Sequence, residues 1–192
     1  PASPPRAARR SLCGVEPPLA IRNGPLRLGA ISAGVGVLAL SSRAEIPMEP
    51  VPFTLQTLAV LLAGMLLGWR LGALTVLTWL AAGAAGLPVF SGGAGGWQKF
   101  IGPTGGYLAA FPVAAAAAGW LAERGWDGRR PFKAFAAGLI GHAVCLLPGA
   151  FWLAGFVGRD GAVRDGLLPF IPGAILKSVA AAAVLMLFAR RR

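Results

Sequence analysis

Between about residue 26 and the C-terminus the chain alternates long apolar runs with short clusters of Pro, Gly and charge. Long stretches of these runs contain no charge at all, and their length suits helices that cross the hydrocarbon of a bilayer. Six spans are expected, at about 26–42, 54–69, 71–87, 104–122, 134–157 and 167–189. Only Trp69, Arg70 and their neighbours separate the second span from the third, which predicts a tight helical hairpin. Small residues recur inside the spans, among them Gly29 with Ala33 and Ala30 with Gly34 at i, i+4 spacing. Such pairs let backbones approach closely, either within the bundle or toward a partner subunit. The expected fold class is an all-α membrane protein of six transmembrane helices over 26–192, preceded by a basic, mobile tail over 1–25.

The tail is rich in Pro and Arg and holds no apolar run long enough for the core of a cleaved signal. Arg9 and Arg10 are followed by Glu16, Pro17 and Pro18, which breaks the pattern of a twin-arginine signal. Cys13 and Cys145 lie too far apart in context to suggest a disulfide.

Composition sharpens the class. Hydrophobic residues make up 56% of the chain and charged residues 13%, against about 25% charged in an ordinary soluble domain. The net charge of +11 raises nucleic acid as a partner, but the charges sit in short clusters between apolar runs. No basic helix face or aromatic RNA-binding motif accompanies them, so nucleic acid is excluded and the expected surroundings are membrane lipid.

The clusters also predict orientation. Arg6, Arg9, Arg10, Arg22, Arg27, Arg70, Arg124, Arg129, Arg130, Lys133 and Arg190 to Arg192 fall in the tails and alternate connections on one side. The other side holds Arg43, Lys99, Arg159 and Arg164, three of them with an acidic neighbour. The excess of positive charge assigns both termini to the cytoplasm. The stretches from Arg43 to Phe53, from Pro88 to Pro103 and from Gly158 to Gly166 are then expected outside, the first two as a cap rich in Pro and Gly.

Lys177 is the most informative residue. It lies inside the last expected span, about ten residues from either end, too deep to reach an interface easily, and no Asp or Glu falls in any span. Backbone carbonyls, water or a bound ligand must therefore solvate its ammonium. Pro169, Pro172 and Gly173 predict a late helix start, with Lys177 a turn and a half in. Thr54, Gln56 and Thr57 open the second span, and Gln56 can both donate and accept, as an amide or ureido ligand requires. Its alternative role is a helix-to-helix hydrogen bond.

The run from Ser91 to Gly96, with Gly92 and Gly93 at its centre, lacks the Gly-Lys-Ser/Thr ending of a phosphate loop. Thr104, Gly105, Gly106 and Tyr107 open the fourth span, where free backbone N–H groups favour an anion such as a carboxylate. Trp79, Trp97, Tyr107 and Trp152 are candidates for an apolar wall or for interfacial anchors. His142 has no second histidine and no embedded carboxylate near it, so metal binding is not expected and helix packing is.

The segment from Ile46 to Thr57, IPMEPVPFTLQT, resembles the Pro-Val-Pro-x-Thr-Leu-Gln-Thr signature of the BioY family, the biotin-binding subunits of energy-coupling-factor transporters. Leu61 to Gly64, Leu71 to Ala73, Gly86 to Gly93 and Gly102 to Leu108 follow in the family's order and spacing. The resemblance is dense over 46–112 and continuous from about 28 to 188. It implies a six-helix S component of the bacterial cytoplasmic membrane, not an enzyme, that binds biotin outside and delivers it inward. A membrane coupling subunit and two ATPase subunits supply the energy in that family, although some members work without dedicated partners. Biotin is cargo, and no cofactor or metal is implied. Many relatives carry Pro-Gly-Asp-x-x-Lys in the last helix, where this chain has Ala174 in place of the Asp and keeps Lys177. The missing acceptor must come from elsewhere, with Gln56 or a loop carbonyl as candidates.

The combined expectation places biotin under the Gly92–Gly93 loop, with its carboxylate at Thr104 to Tyr107, its ureido ring near Lys177, Gln56 and Thr54, and Trp152 beside it. The reverse orientation, with the carboxylate on Lys177, is the alternative. Two rival functions are an S component for another vitamin and an intramembrane serine protease using Ser91 and His142.

Overall fold

The computed structural model describes residues 24–190, so the basic tail up to residue 23, with Arg9, Arg10 and Cys13, and the last two arginines lie outside the described residues. Six long helices and one short one account for most of the rest: α1 (Gly24–Ser41), α2 (Gln56–Leu67), α3 (Trp69–Ala84), α4 (Gln98–Ile101), α5 (Gly105–Glu123), α6 (Pro131–Gly166) and α7 (Phe170–Arg190). Four of them, α1, α5, α6 and α7, are long and apolar enough to cross a membrane. At 1.5 Å per residue, α2 and α3 span only about 18 and 24 Å, short of the roughly 30 Å of bilayer hydrocarbon. They form the expected hairpin, joined at Gly68 alone, which turns the chain with φ 86°. A residue with a Cβ is strained in that conformation.

Helix α5 is the hub, packing against α2, α3 and α6, while α7 closes on α6 and α2 and α1 lies against α3. The hub works because glycine brings backbones together. A Cβ on Gly64 of α2 would strike the Ala115 carbonyl of α5, one on Gly72 of α3 would strike the Gly64 backbone, and one on Gly119 of α5 would strike the Gly64 carbonyl and the Trp69 backbone. The helix α1 is different. Gly34 meets the Thr75 methyl of α3, whereas Gly29 and Ala33 are exposed and Gly29 has open space beside it.

One end of the bundle is capped. After α1 the chain forms a two-residue antiparallel ladder, β1 (Glu45–Ile46) with β2 (Phe53–Thr54), Glu45 opposite Thr54 and Ile46 opposite Phe53. Between α3 and α5 a 3-10 turn at Ser91–Gly93 holds Gly92 and Gly93 at φ 68° and 67°, and α4 follows. The anchor of this cap is Trp79 on α3, which is fully buried. Its indole Nε1 donates to the Val89 carbonyl at 3.1 Å, and its ring stands edge-on to Phe90 at 5.1 Å. We expect Trp79→Ala to cost about 3–5 kcal/mol and Trp79→Phe about 1 kcal/mol for the lost hydrogen bond, read as thermal stability of the purified protein in detergent.

Two expectations from sequence are corrected. Residues 159–166 are helical: α6 bends at Gly158, where φ is 76°, and then resumes, because no proline follows to prevent it. Helix α7 begins at Phe170, earlier than expected, because a proline within the first turn removes an N–H that has no intrahelical partner there. Lys177 is therefore about two turns into the helix.

Candidate binding site

Beneath the cap lies a cavity with about 640 Å³ of non-atom space, counted out into the open solvent at its mouth. The β1–β2 ladder and the prolines around Val51 lead through Thr54 into Gln56 and Thr57 at the start of α2, the cap contributes Phe90, Ser91 and Lys99, and Leu108, Phe111, Leu146, Phe170 and Ala174 supply the apolar walls.

Lys177 is buried at 6% exposure and points into this space. Its ammonium donates to the Thr54 main-chain carbonyl and to the Thr57 hydroxyl at 3.0 Å, and lies 4.2 Å from the centre of the Phe53 ring, close enough for cation–π attraction. An ammonium has three donors. Two are taken, and no third protein acceptor stands within bonding distance among the described residues. Phe53 reaches this position because Gly173 on α7 leaves room for its ring, where a Cβ would collide with it.

Gln56 is engaged on both sides of its amide. Its Nε2 donates to the Ser42 hydroxyl at 2.7 Å, and its Oε1 accepts from the Thr54 hydroxyl at 3.1 Å. It lines the cavity as part of a Ser42–Gln56–Thr54 chain that fixes the Thr54 carbonyl opposite Lys177.

The start of α5 is less open to an anion than the sequence suggests. Gly105 N–H and Tyr107 N–H already bond the carbonyls of Gly102 and Thr104 at 3.0 and 3.1 Å. The Thr104 hydroxyl donates to the Lys99 carbonyl at 3.2 Å, and the Tyr107 hydroxyl donates to the Gly166 carbonyl at 2.7 Å. Thr104 and Tyr107 line the cavity, while Gly105 and Gly106 are buried in packing against Phe100 and Trp152. Trp152 is exposed and lies outside the cavity lining, its indole donating to the Gly102 carbonyl at 3.0 Å. Trp97 is exposed. Gly93 lies against the Arg43 guanidinium, and Gly92 lines a second opening with Glu45, Pro47, Met48, Glu49, Pro52, Ser91 and Lys99.

Of the ten residues selected from sequence, Lys177, Gln56, Thr54, Thr104 and Tyr107 converge on the cavity. Sequence reasoning missed Lys99, the half-buried cation at the junction of the cavity and the second opening, since both are lined by it, and Thr57 as a partner of Lys177. His142 is where the protease alternative fails. Its Nδ1 is held by the Gly138 carbonyl at 2.9 Å and by the Ser178 hydroxyl at 3.2 Å, and Ser91 makes no bond to it. No group of three or more metal-ligating side chains occurs among the described residues.

A bundle of apolar helices enclosing a small-molecule cavity under a folded cap is the build of a multi-pass membrane protein that binds a ligand. The family model for the BioY family matches residues 20–192, and the chain belongs to that family. It is 40% identical over 147 residues to the probable biotin transporter BioY of Pyrococcus horikoshii, covering 77% of this chain and 86% of the relative. It is 37% identical over 159 residues to the biotin transporter BioY of Thermotoga maritima, covering 80% and 91%. The match to the biotin transporter BioY of Rhizobium etli is 40% over 165 residues, covering 82% and 88%. Among solved structures, the S-component for biotin from an ECF-type ABC transporter superposes with a TM-score of 0.77 at 25% identity, covering 90% of this chain and 96% of that one.

Proposed function

We propose that this protein captures biotin at the outer face of a cytoplasmic membrane and carries it inward, as the substrate-binding subunit of an energy-coupling-factor transporter. The observation that carries the reading is the Lys177 ammonium, held in an apolar cavity with one donor unused. Biotin suits such a site: an apolar bicycle and chain for the walls, a ureido carbonyl for the buried donor, and a carboxylate at the far end.

In this reading the bundle crosses the membrane six times with both termini inside, the short α2–α3 hairpin being completed by backbone buried in protein instead of lipid. The ureido ring sits at Lys177, near Thr54, Thr57 and Gln56. The carboxylate points toward Lys99 beside Thr104, because the Thr104 hydroxyl and the amides of Gly105 and Tyr107 are already bonded. The exposed Gly29–Ala33 face of α1 offers a coupling subunit a surface on which to pack. Two ATPase subunits drive the cycle in such assemblies.

The orientation is tested at Lys99. Its ammonium is half-buried, so its pairing with a carboxylate is screened and worth about 1 kcal/mol. We expect Lys99→Gln to weaken biotin binding about five- to tenfold while leaving the affinity for biotinamide, which has no carboxylate, unchanged. An equal loss for both ligands would turn the molecule around in the cavity. Uptake of labelled biotin by a biotin auxotroph expressing this chain tests transport itself, and failure to restore uptake with coupling subunits present contradicts the assignment.

A further inference from the structure

His142 on α6 is buried at 3% exposure, and its ring lines both the main cavity and a small apolar space behind it formed with Leu61, Ala114 and Cys145. Nδ1 faces the Gly138 carbonyl and the Ser178 hydroxyl oxygen, and the Ser178 hydrogen is committed to the Ala174 carbonyl at 2.7 Å. Both neighbours of Nδ1 therefore accept, so in the neutral ring the proton sits on Nδ1 and Nε2 carries a bare lone pair. Nε2 is buried and has no partner. A buried acceptor left unpaired is costly, and the imidazole that carries it lines the ligand cavity, which points to a donor brought by the ligand.

The other acceptors at this end of the cavity each already receive one hydrogen bond, whereas the single lone pair of Nε2 receives none. The Thr54 carbonyl and Thr57 hydroxyl receive the Lys177 ammonium, and Gln56 Oε1 receives the Thr54 hydroxyl. A ureido group needs a donor for its oxygen and an acceptor for each N–H. Resting on the assignment of biotin as ligand, we propose that His142 Nε2 accepts one ureido N–H while Lys177 donates to the ureido oxygen. The two residues together read the donor–acceptor pattern of the ring, and His142 is a specificity-determining residue of this protein.

His142 is the sole histidine in the chain, so labelling with 15N-histidine yields one imidazole in the spectrum. On addition of biotin to the purified protein, the pyridine-type Nε2 resonance is expected to move upfield as it accepts a hydrogen bond, with Nδ1 staying protonated. The second measurement uses two cyclic carbamate analogues of biotin, in each of which an oxygen replaces a different ureido N–H. One analogue should bind the wild type about ten- to a hundredfold more weakly than biotin and lose that penalty in His142→Leu. The other should be impaired to the same extent in both proteins. Tight biotin binding by the wild type with an unmoved Nε2 signal, or analogue penalties that are the same in His142→Leu, overturns the role of His142 alone. Failure of the wild type to bind biotin overturns this proposal and the assignment of the ligand with it.

Discussion

Lys177→Met is expected to lower biotin affinity by two to three orders of magnitude while leaving the protein folded. The size follows from burial. Truncating one partner of a buried, charge-assisted hydrogen bond costs about 2–5 kcal/mol, and each 1.4 kcal/mol is a factor of about ten in affinity. Methionine keeps the side-chain length and fills the same space, so the walls of the cavity stay in place. Stability without ligand should change little or rise, since the ammonium's bonds to the Thr54 carbonyl and Thr57 hydroxyl are offset by the expense of holding a charge in an apolar interior. A purely structural lysine predicts the opposite pattern: a lower melting temperature and a biotin affinity that survives in whatever protein remains folded. Isothermal titration of the variant, paired with a melting curve, separates the two.

Gly64→Val should prevent the protein from accumulating as a monodisperse species. The Gly64 Cα sits where α2, α3 and α5 touch, and an added Cβ meets the Ala115 backbone, which cannot rotate aside as a side chain can. Overpacking a side chain in a core costs about 1–3 kcal/mol, occasionally more, and a backbone collision at a three-helix contact falls at or beyond the top of that range. Gly29→Val on α1, where the space beside the glycine is open, is the control and should leave expression and melting temperature unchanged. Size-exclusion profiles of the two variants beside the wild type decide the matter.

The sequence makes the helices legible because their boundaries are set by residues with strong local rules. The Gly68 turn, the proline-rich stretch before Thr54 and the glycine run after Leu87 interrupt apolar runs that have no other break. The misreadings came from positions where such rules are weaker. Gly158 bends α6 without ending it, and Pro172 is tolerated inside the first turn of α7.

The site was legible where chemistry conflicts with surroundings. Lys177 in an apolar run needs an explanation from its neighbours, whatever the fold, and Thr54 and Gln56 stood out as polar residues at the start of another apolar run. Glycines gave a weaker signal, because the same residue serves a ligand, a turn or a packing contact. Gly106 makes room for Trp152, and Gly149 makes room for the Tyr107 ring. Lys99 read as one more loop charge, since only the three-dimensional course of the cap turns it toward the cavity. The Phe90, Phe111 and Phe170 walls were likewise invisible, as apolar residues in apolar runs carry no mark of which face they occupy. The bare Nε2 of His142 depends on three hydrogen bonds, one within α6, one within α7 and one between them, and their combination is encoded by no spacing rule.

The most direct test of the whole account is a calorimetric titration of the purified wild-type protein in detergent with biotin, alongside thiamine, riboflavin and folate. One biotin per chain with a Kd well below 1 μM, equivalent to more than about 8 kcal/mol of binding free energy, and no measurable heat from the others is the expected result. No binding of biotin, or equal binding of any other vitamin in the set, would contradict it.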